Sequence, residues 1–563
     1  MLTTPTLSYL KGDSSTPLMG VNMGEFLNQA RQVHGAKTAV ISVIQNQQLT
    51  YNELHSLVTQ ASKALCAVGI VREDRVGIWS TNRTEWIVMQ FAVARVGAIL
   101  VHINPAYKEN ELEYTVSHSG CKILFLTRKF RTHDCLNFAL NVQSRQSGLK
   151  SIVDFDGAEV NQETAESLQT SPLGSLISWT SFLAHSKGFS DSALNELSTS
   201  VDSSCAASIQ YTSGTTGHPK GATLSQSNML NNGIQIGARL GLVPLDVLCL
   251  PVPMFHCFGS VVGVIAAFAH GSSLVFTGES FDAQECIKAV HRYGCTVFYG
   301  VPMMFISILN HPSFDSGKMK TLRTGIMGAA PCPSEVFKAA IEKMHMVGLC
   351  SSYGMTETSP MSTQCLPSQT IEQRSNTVGT VHPHVEIKII DPVDGSMVPL
   401  GQPGELCVRG YSVMLGYWNN PQATHNAIDQ EGWMHSGDLA LIREDGCVCI
   451  VGRIKDMVIR AGENIYPREI EEFLHKLPQI ADAQVFGVPD ALYGEQLAAW
   501  IKLKPGQSMD AEKLRLLCKG QIASFKIPHY IKFVEEYPST TSGKVQKFKM
   551  REMVITEFQL PSK

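Results

Sequence analysis

The chain has 563 residues, of which 44% are apolar and 17% charged, with a formal net charge of -4. That length is several times a usual domain of about 150 residues, so two or more domains are expected. The near-balanced charge gives no electrostatic case for nucleic acid or an anionic membrane as partner, and no apolar run reaches the ~20 uninterrupted residues of a transmembrane helix.

The first thirty residues carry one basic side chain, Lys11, and no arginine. This fits neither a signal peptide nor a mitochondrial presequence, so the expectation is a cytosolic chain or one whose N-terminus continues further. From Asp74 onward, DRVGIWS, GAILVHI and CKILFL read as strands, with TEWIVMQFAVAR and ENELEYTVSHSG as the helices between them. Alternation at this spacing predicts a doubly wound, mostly parallel sheet. Asn82-Arg83-Thr84 is a glycosylation sequon without other signs of secretion. The span 142–200, rich in Ser, Gln, Asn and Glu, reads as a surface segment.

After residue 223 the alternation recurs: DVLCLPV, the helical CFGSVVGVIAAFAHG, SSLVF, FDAQECIKAVHRYG and CTVFYG. A second α/β unit is expected there. Residues 378–452 turn β-rich and glycine-punctuated, which predicts an antiparallel layer or small barrel. The tail after GRIKDMVIR has its own strands and helices and is long enough for an independent domain. The predicted architecture is therefore α/β: a large N-terminal part (1–454) of two doubly wound subdomains plus a β-rich one, then a small α+β domain (455–563). The 15 cysteines include no C-x-x-C pair and read as reduced residues of an intracellular protein.

Between the two α/β units lies YTSGTTGHPKGAT. Gly214 and Gly217 permit conformations that turn successive amide hydrogens toward one side of a loop, a concavity that holds oxyanions. Thr212, Ser213, Thr215 and Thr216 add hydroxyl donors, and Lys220 adds a cation. It is not a Walker loop, because His218 and Pro219 separate the lysine from Gly217. An ordinary polar turn between strand and helix is the plain alternative.

The loop YTSGTTGHPKG resembles the signature of the adenylate-forming superfamily, which includes acyl-CoA synthetases, luciferase and coumarate-CoA ligases. YGMTE from Tyr353, SGD from Ser436, GRIKD from Gly452 and STTSGKVQK up to Lys547 are similar to its other motifs, in the same order. The resemblance spans about residues 25 to 550. It implies an enzyme that uses ATP, magnesium and coenzyme A with a small carboxylic acid, with Thr212 to Lys220 as the nucleotide loop.

The same resemblance assigns roles residue by residue. Tyr353 would present its ring to adenine, Thr356 its hydroxyl to the α-phosphate, and Glu357 a hard oxygen to magnesium. Asp438 would accept hydrogen bonds from a ribose diol and Arg453 would donate to the sugar or phosphate, an ordinary salt bridge being the alternative for both. Gly328, Ala329 and Ala330 would pack along adenine and acyl group, or form a tight turn. Lys544 would place a cation between carboxylate and α-phosphate as they react.

His256 would lie by the acyl tunnel, or be a satisfied core histidine. Met303, Met304 and Phe305 would line that tunnel or pack their helix. Gly462, Glu463 and Asn464 would approach the thiol in the second half-reaction. Related sequences often read G-G-E-N where this chain begins with Ala461. Lys455 would be the hinge. GENIYPREIE and RGYSVMLGYWNNP look most like the mitochondrial medium-chain acyl-CoA ligases of animals and their bacterial relatives, which implies a fatty acid substrate and a mitochondrial address. An aryl acid is the alternative substrate. A nucleotide-binding scaffold without activity is the alternative of another class, opposed by the intact motifs.

Overall fold

The computed structural model describes residues 6–157, 176–212, 219–330, 332–461, 463–539 and 545–560. Its first sheet has eight strands, in the order Leu176–Ser178, Ser151–Asp154, Cys121–Leu126, Arg75–Trp79, Ile99–Ile103, Ala206–Thr212, Lys220–Ser225 and Gly416–Tyr417. The pairs are parallel up to Ala206–Thr212 and antiparallel beyond it. The connecting helices fall where the sequence pattern puts them, at Thr84–Arg95 and Glu109–Ser119. Glu109–Ser119 stops because Gly120 adopts the left-handed conformation, φ +67°, that closes a helix C-terminus.

The second sheet has nine strands. Its parallel centre comprises Thr38–Ser42, Ser273–Phe276, Val247–Cys249, Val297–Gly300, Thr324–Met327 and Gly348–Gly354. Helix Thr84–Arg95 is buried all round, every residue except Glu85, with Gln90 and Arg95 among the buried ones. Such a helix belongs inside a layered core rather than on a surface. It lies where the two sheets meet, and one apolar cluster runs from Val76, Trp86 and Phe91 to Val261, Phe268 and Leu274.

An antiparallel five-stranded sheet follows, with Val385–Ile390, Gly404–Gly410, Met434–Ile442 and Val448–Arg453 joined at one edge by the N-terminal strand Tyr9–Lys11. The last part of the chain forms a separate sheet built on the long hairpin Ile480–Asp490 and Gly494–Leu503. The apolar core around it draws only on residues from Val458 onward. Helix Pro467–His475 touches the larger body, where Arg468 Nη1 donates to the Ile450 carbonyl at 2.5 Å.

One expectation is corrected, the plain alternative for the signature loop falls away, and the sequon is found closed. The span 142–200 is not merely surface: Ser151–Asp154 is a fully buried inner strand of the first sheet. The signature loop does not join a strand to a helix. It bridges antiparallel strands Ala206–Thr212 and Lys220–Ser225, with Thr212 opposite Lys220. Asn82 of the sequon is 5% exposed and hydrogen-bonded on both amide atoms, accepting from Met254 N–H and donating to Val252 O, so it does not present a glycosylation site.

Candidate active site

The parallel strands Val297–Gly300, Thr324–Met327 and Gly348–Gly354 end side by side, and in open α/β sheets ligands bind beyond such carboxyl ends. Past Met327 the chain turns sharply. Gly328 N–H donates to Gly300 O at 3.2 Å, and Ala329 takes φ +64°, a region that a residue with a Cβ rarely occupies. A Cβ at Gly328 would stand 3.2 Å from Ser352 Oγ. The segment is thus a tight turn with little side-chain bulk over the strand ends.

Gly348–Gly354 carries Tyr353, and the next residues form the single turn Thr356–Thr358. Glu357 is 6% exposed. Its Oε1 accepts from Tyr417 Oη at 2.9 Å and from Thr212 Oγ1 at 3.4 Å. Lys220 Nζ stands 5.0 Å from the centre of the Tyr417 ring, a cation–π contact. The two strands that flank residues 213–218 therefore deliver Thr212 and Lys220 to the YGMTE segment. Thr356 Oγ1 lies 3.7 Å from Cys257 Sγ, which places His256 beside the same segment. His256 is half-buried, and its Nδ1 accepts from Phe258 N–H at 3.1 Å, which puts the neutral ring's proton on Nε2.

The second cluster forms on the antiparallel sheet. Cys407 pairs with His435 and Glu405 with Leu439, so the longer stretch containing Ser436, Gly437 and Asp438 bulges from the ladder. Gly437 supplies the required left-handed residue, φ +69°. Asp438, 8% exposed, accepts from Tyr353 Oη at 2.6 Å through Oδ2 and from Arg453 Nε at 3.1 Å through Oδ1. Burial and the Asp438 charge push the Tyr353 phenol well above its usual range, so it remains a donor. The Asp438 carboxylate raises Arg453.

The structure thus brings together Thr212, Lys220, Thr356, Glu357 and His256, and separately Tyr353, Asp438 and Arg453. Ser213, Gly214, Thr215, Thr216, Gly217, His218, Gly462 and Lys544 lie outside the described residues. Pro219 accepts from Tyr114 Oη at 3.2 Å through its carbonyl. Lys455 follows Arg453 in the short turn Ile454–Asp456. Glu463 and Asn464 belong to strand Glu463–Ile465, paired with Val458–Arg460. Phe305 is fully buried against Phe298, ring centres 5.2 Å apart, and serves the core; Met304 is buried and Met303 half-buried. Tyr417 was missed by sequence reasoning, although it stands in the quoted RGYSVMLGYWNNP, because a tyrosine there has no chemical signature until Glu357 is folded against it.

Residues 26–418 match the family described as "AMP-binding enzyme", and residues 469–544 match "AMP-binding enzyme C-terminal domain". The chain belongs to the AMP-binding enzyme family. Its similarity to family members is nearly end to end. It is 42% identical to "Putative acyl-CoA synthetase YngI" of Bacillus subtilis (strain 168), covering 97% of this chain and 99% of that one. It is 40% identical to "Medium-chain acyl-CoA ligase ACSF2, mitochondrial" of Homo sapiens, covering 100% and 92%. Among solved structures, the anthranilate CoA ligase AuaEII in complex with anthranoyl-AMP superposes with TM-score 0.84 at 25% identity over 97% of this chain and 99% of that one. ATP-bound MatB from Rhodopseudomonas palustris gives 0.80 at 28% over 95% and 99%. With this family membership, the protein is an ATP-dependent, AMP-forming acid–CoA ligase. No helix among the described residues is long and apolar enough to cross a membrane.

Proposed function

We propose that this family member activates medium-chain fatty acids in two steps. ATP and the acid give acyl-adenylate and pyrophosphate, and the coenzyme A thiol then displaces AMP to give acyl-CoA. The observation that carries the chemistry is the buried Glu357 carboxylate, held by Tyr417 and Thr212 at the mouth of the signature loop. The chain length rests on the human relative, which bears the name medium-chain ligase.

In this reading Asp438, oriented by Tyr353 and Arg453, accepts from the ribose hydroxyls. Residues 212–220 hold the phosphates, and Thr356 donates to the α-phosphate. Glu357, a hard-oxygen donor with one oxygen fixed by hydroxyl groups, would hold magnesium, which neutralises phosphate charge when bound. Lys544 stabilises the charge that builds at the α-phosphorus and withdraws when the C-terminal domain, 455–563, turns about Lys455. Gly462, Glu463 and Asn464 then face the thiol. His256 and the Gly328–Ala330 turn border the acyl group and adenine.

Pyrophosphate exchange against a panel of carboxylic acids tests the proposal. Exchange strongest with acids of medium chain length is the expected result. Exchange confined to aryl acids would replace the fatty acid reading, and silence with every acid would remove the activity. The relatives named mitochondrial also support a mitochondrial address, which fractionation of the source cells against a matrix marker would check.

A further inference from the structure

We propose that Glu405, Cys407 and His435 form a binding site for a divalent transition-metal ion, with zinc the best match to the donors. Glu405 and Cys407 are two apart on Gly404–Gly410, a spacing that directs both side chains to one face of a strand. Cys407 stands opposite His435 across the ladder. The Ser436–Asp438 bulge carries the intervening chain away and leaves His435 against both side chains. Cys407 Sγ, His435 Nδ1 and a Glu405 carboxylate oxygen all lie within 4.8 Å of one another.

Two of these separations are close to the edges of a zinc tetrahedron. With Zn–S near 2.3 Å and Zn–N and Zn–O near 2.0–2.2 Å, the sulfur–nitrogen edge is about 3.6 Å and the nitrogen–oxygen edge about 3.4 Å. Cys407 Sγ lies 3.6 Å from His435 Nδ1, and Nδ1 lies 3.0 Å from Glu405 Oε2. A shift of the carboxylate away from Nδ1 opens the set around an ion, the sulfur–oxygen separation lying within 4.8 Å. Sulfur, imidazole nitrogen and one carboxylate suit zinc and its neighbours, whereas calcium and magnesium take oxygen. Cys407 is fully buried, but Glu405 and His435 are half-buried, so an ion would enter from their side, with a fourth position left for water.

Asp429 completes the arrangement. Its Oδ1 accepts from the N–H groups of Glu431 and Trp433, each at 2.9 Å, and its Oδ2 lies 3.6 Å from His435 Nε2. A carboxylate behind the far nitrogen of a ligating histidine is the usual support for a bound metal. Binding would release the Cys407 thiol proton and the His435 Nδ1 proton to solvent, while Nε2–H keeps facing Asp429. Glu405 Oε1 also accepts from Gly437 N–H at 3.1 Å. The ligand set is therefore tied to the bulge that presents Asp438, and an ion there would hold that bulge in place.

The experiment titrates the metal-free full-length protein with zinc against a chromophoric chelator, and with cobalt(II) followed by absorbance. One tight site per chain is expected, with a thiolate-to-cobalt charge-transfer band. Cys407→Ser should abolish the band and weaken zinc at least about tenfold, and Asp429→Asn should weaken it about 10–100-fold. Cys66→Ser, remote from the cluster, should leave both unchanged. Circular dichroism establishes that each variant folds, and Glu405→Gln provides the same readout if Cys407→Ser does not fold. Slower amide exchange at Gly437 and Asp438 on zinc binding is the expected sign of the clamp. A Cys407→Ser protein with the parent's titration would assign the zinc to other cysteines, and the absence of any tight site would leave Glu405 and His435 as an ion pair alone; either result overturns the proposal.

Discussion

Glu357 combines burial with a carboxylate whose hydroxyl donors come from two other segments of the chain. Glu357→Gln keeps an acceptor for Tyr417 but removes the charge, and adenylation is expected to fall about 10²–10³-fold, as when an electrostatic stabiliser is lost from an active site. Tyr417→Phe removes one donor to an ionised acceptor, about 1.5–3 kcal/mol, so its loss is expected to be about 10–100-fold, with the magnesium requirement shifted upward. Pyrophosphate exchange at varied magnesium measures both, and an unchanged magnesium dependence in Tyr417→Phe would separate Glu357 from the metal. Arg453 and Asp438 divide differently between stability and binding. The Arg453 side chain is 61% exposed, and such pairs contribute about 0–1 kcal/mol to stability. Arg453→Ala is expected to leave urea unfolding within that range yet raise KM for ATP. Asp438→Ala also takes the acceptor from the half-buried Tyr353 hydroxyl, a cost of about 1–3 kcal/mol, and should lower stability as well. The family resemblance singled out Asp438 and Arg453 in the sequence. The contact of Asp438 with Tyr353 was not legible there, because it joins strands of different sheets.

At the scale of elements, the loop that carries His256 is clamped by the first sheet. Asn82 holds Val252 O and Met254 N–H. His102, inside strand Ile99–Ile103, faces Phe255 O with Nδ1 at 3.2 Å and Ser208 Oγ with Nε2 at 3.1 Å. A carbonyl can only accept, so Nδ1 carries a proton. Burial lowers its pKa to about 3, against about 6.5 when unfolded. The unfolded chain therefore binds a proton below pH 6.5 that the folded chain refuses, and stability falls as pH drops from there toward 3, by up to about 1.4 kcal/mol per pH unit per proton. His55, lowered to about 4 by burial and the nearby Arg95 and Arg31 charges, shares that window. Urea midpoints at pH 7 and pH 5 are expected to drop in the parent and to drop less in His102→Gln; equal slopes would remove His102 from the cause. Local patterning predicted these strands and the helices around them, since alternation and helix-stopping glycines act within a few residues. It misread Ser151–Asp154, where four buried residues in a polar stretch are too few to show a period. It also could not see Tyr9–Lys11 joining Val385–Ile390, because that pairing spans most of the chain.

For the whole molecule, the proposed cycle requires one small domain to offer Lys544 in the first half-reaction and the segment after Ala461 in the second. Ala461 marks the second position in this chain. It adopts φ +52°, and its N–H donates to Tyr493 O at 2.9 Å, so the position where the resemblance leads to an expected glycine here carries a methyl group in a left-handed conformation. That conformation costs about 1–2 kcal/mol for a residue with a Cβ and is worse for a β-branched side chain. Ala461→Val should therefore distort the turn next to Gly462, while the Lys544 segment, elsewhere in the sequence, is expected to be unaltered. Lys544→Ala should do the reverse, crippling acyl-adenylate formation and sparing thioester formation from supplied acyl-adenylate. Measuring the half-reactions separately on both variants, with thermal melts to confirm folding, gives a crossed pattern if the domain turns about Lys455 between steps. Parallel losses in both assays would mean that the two segments act in one fixed arrangement, and the hinge at Lys455 would have no role.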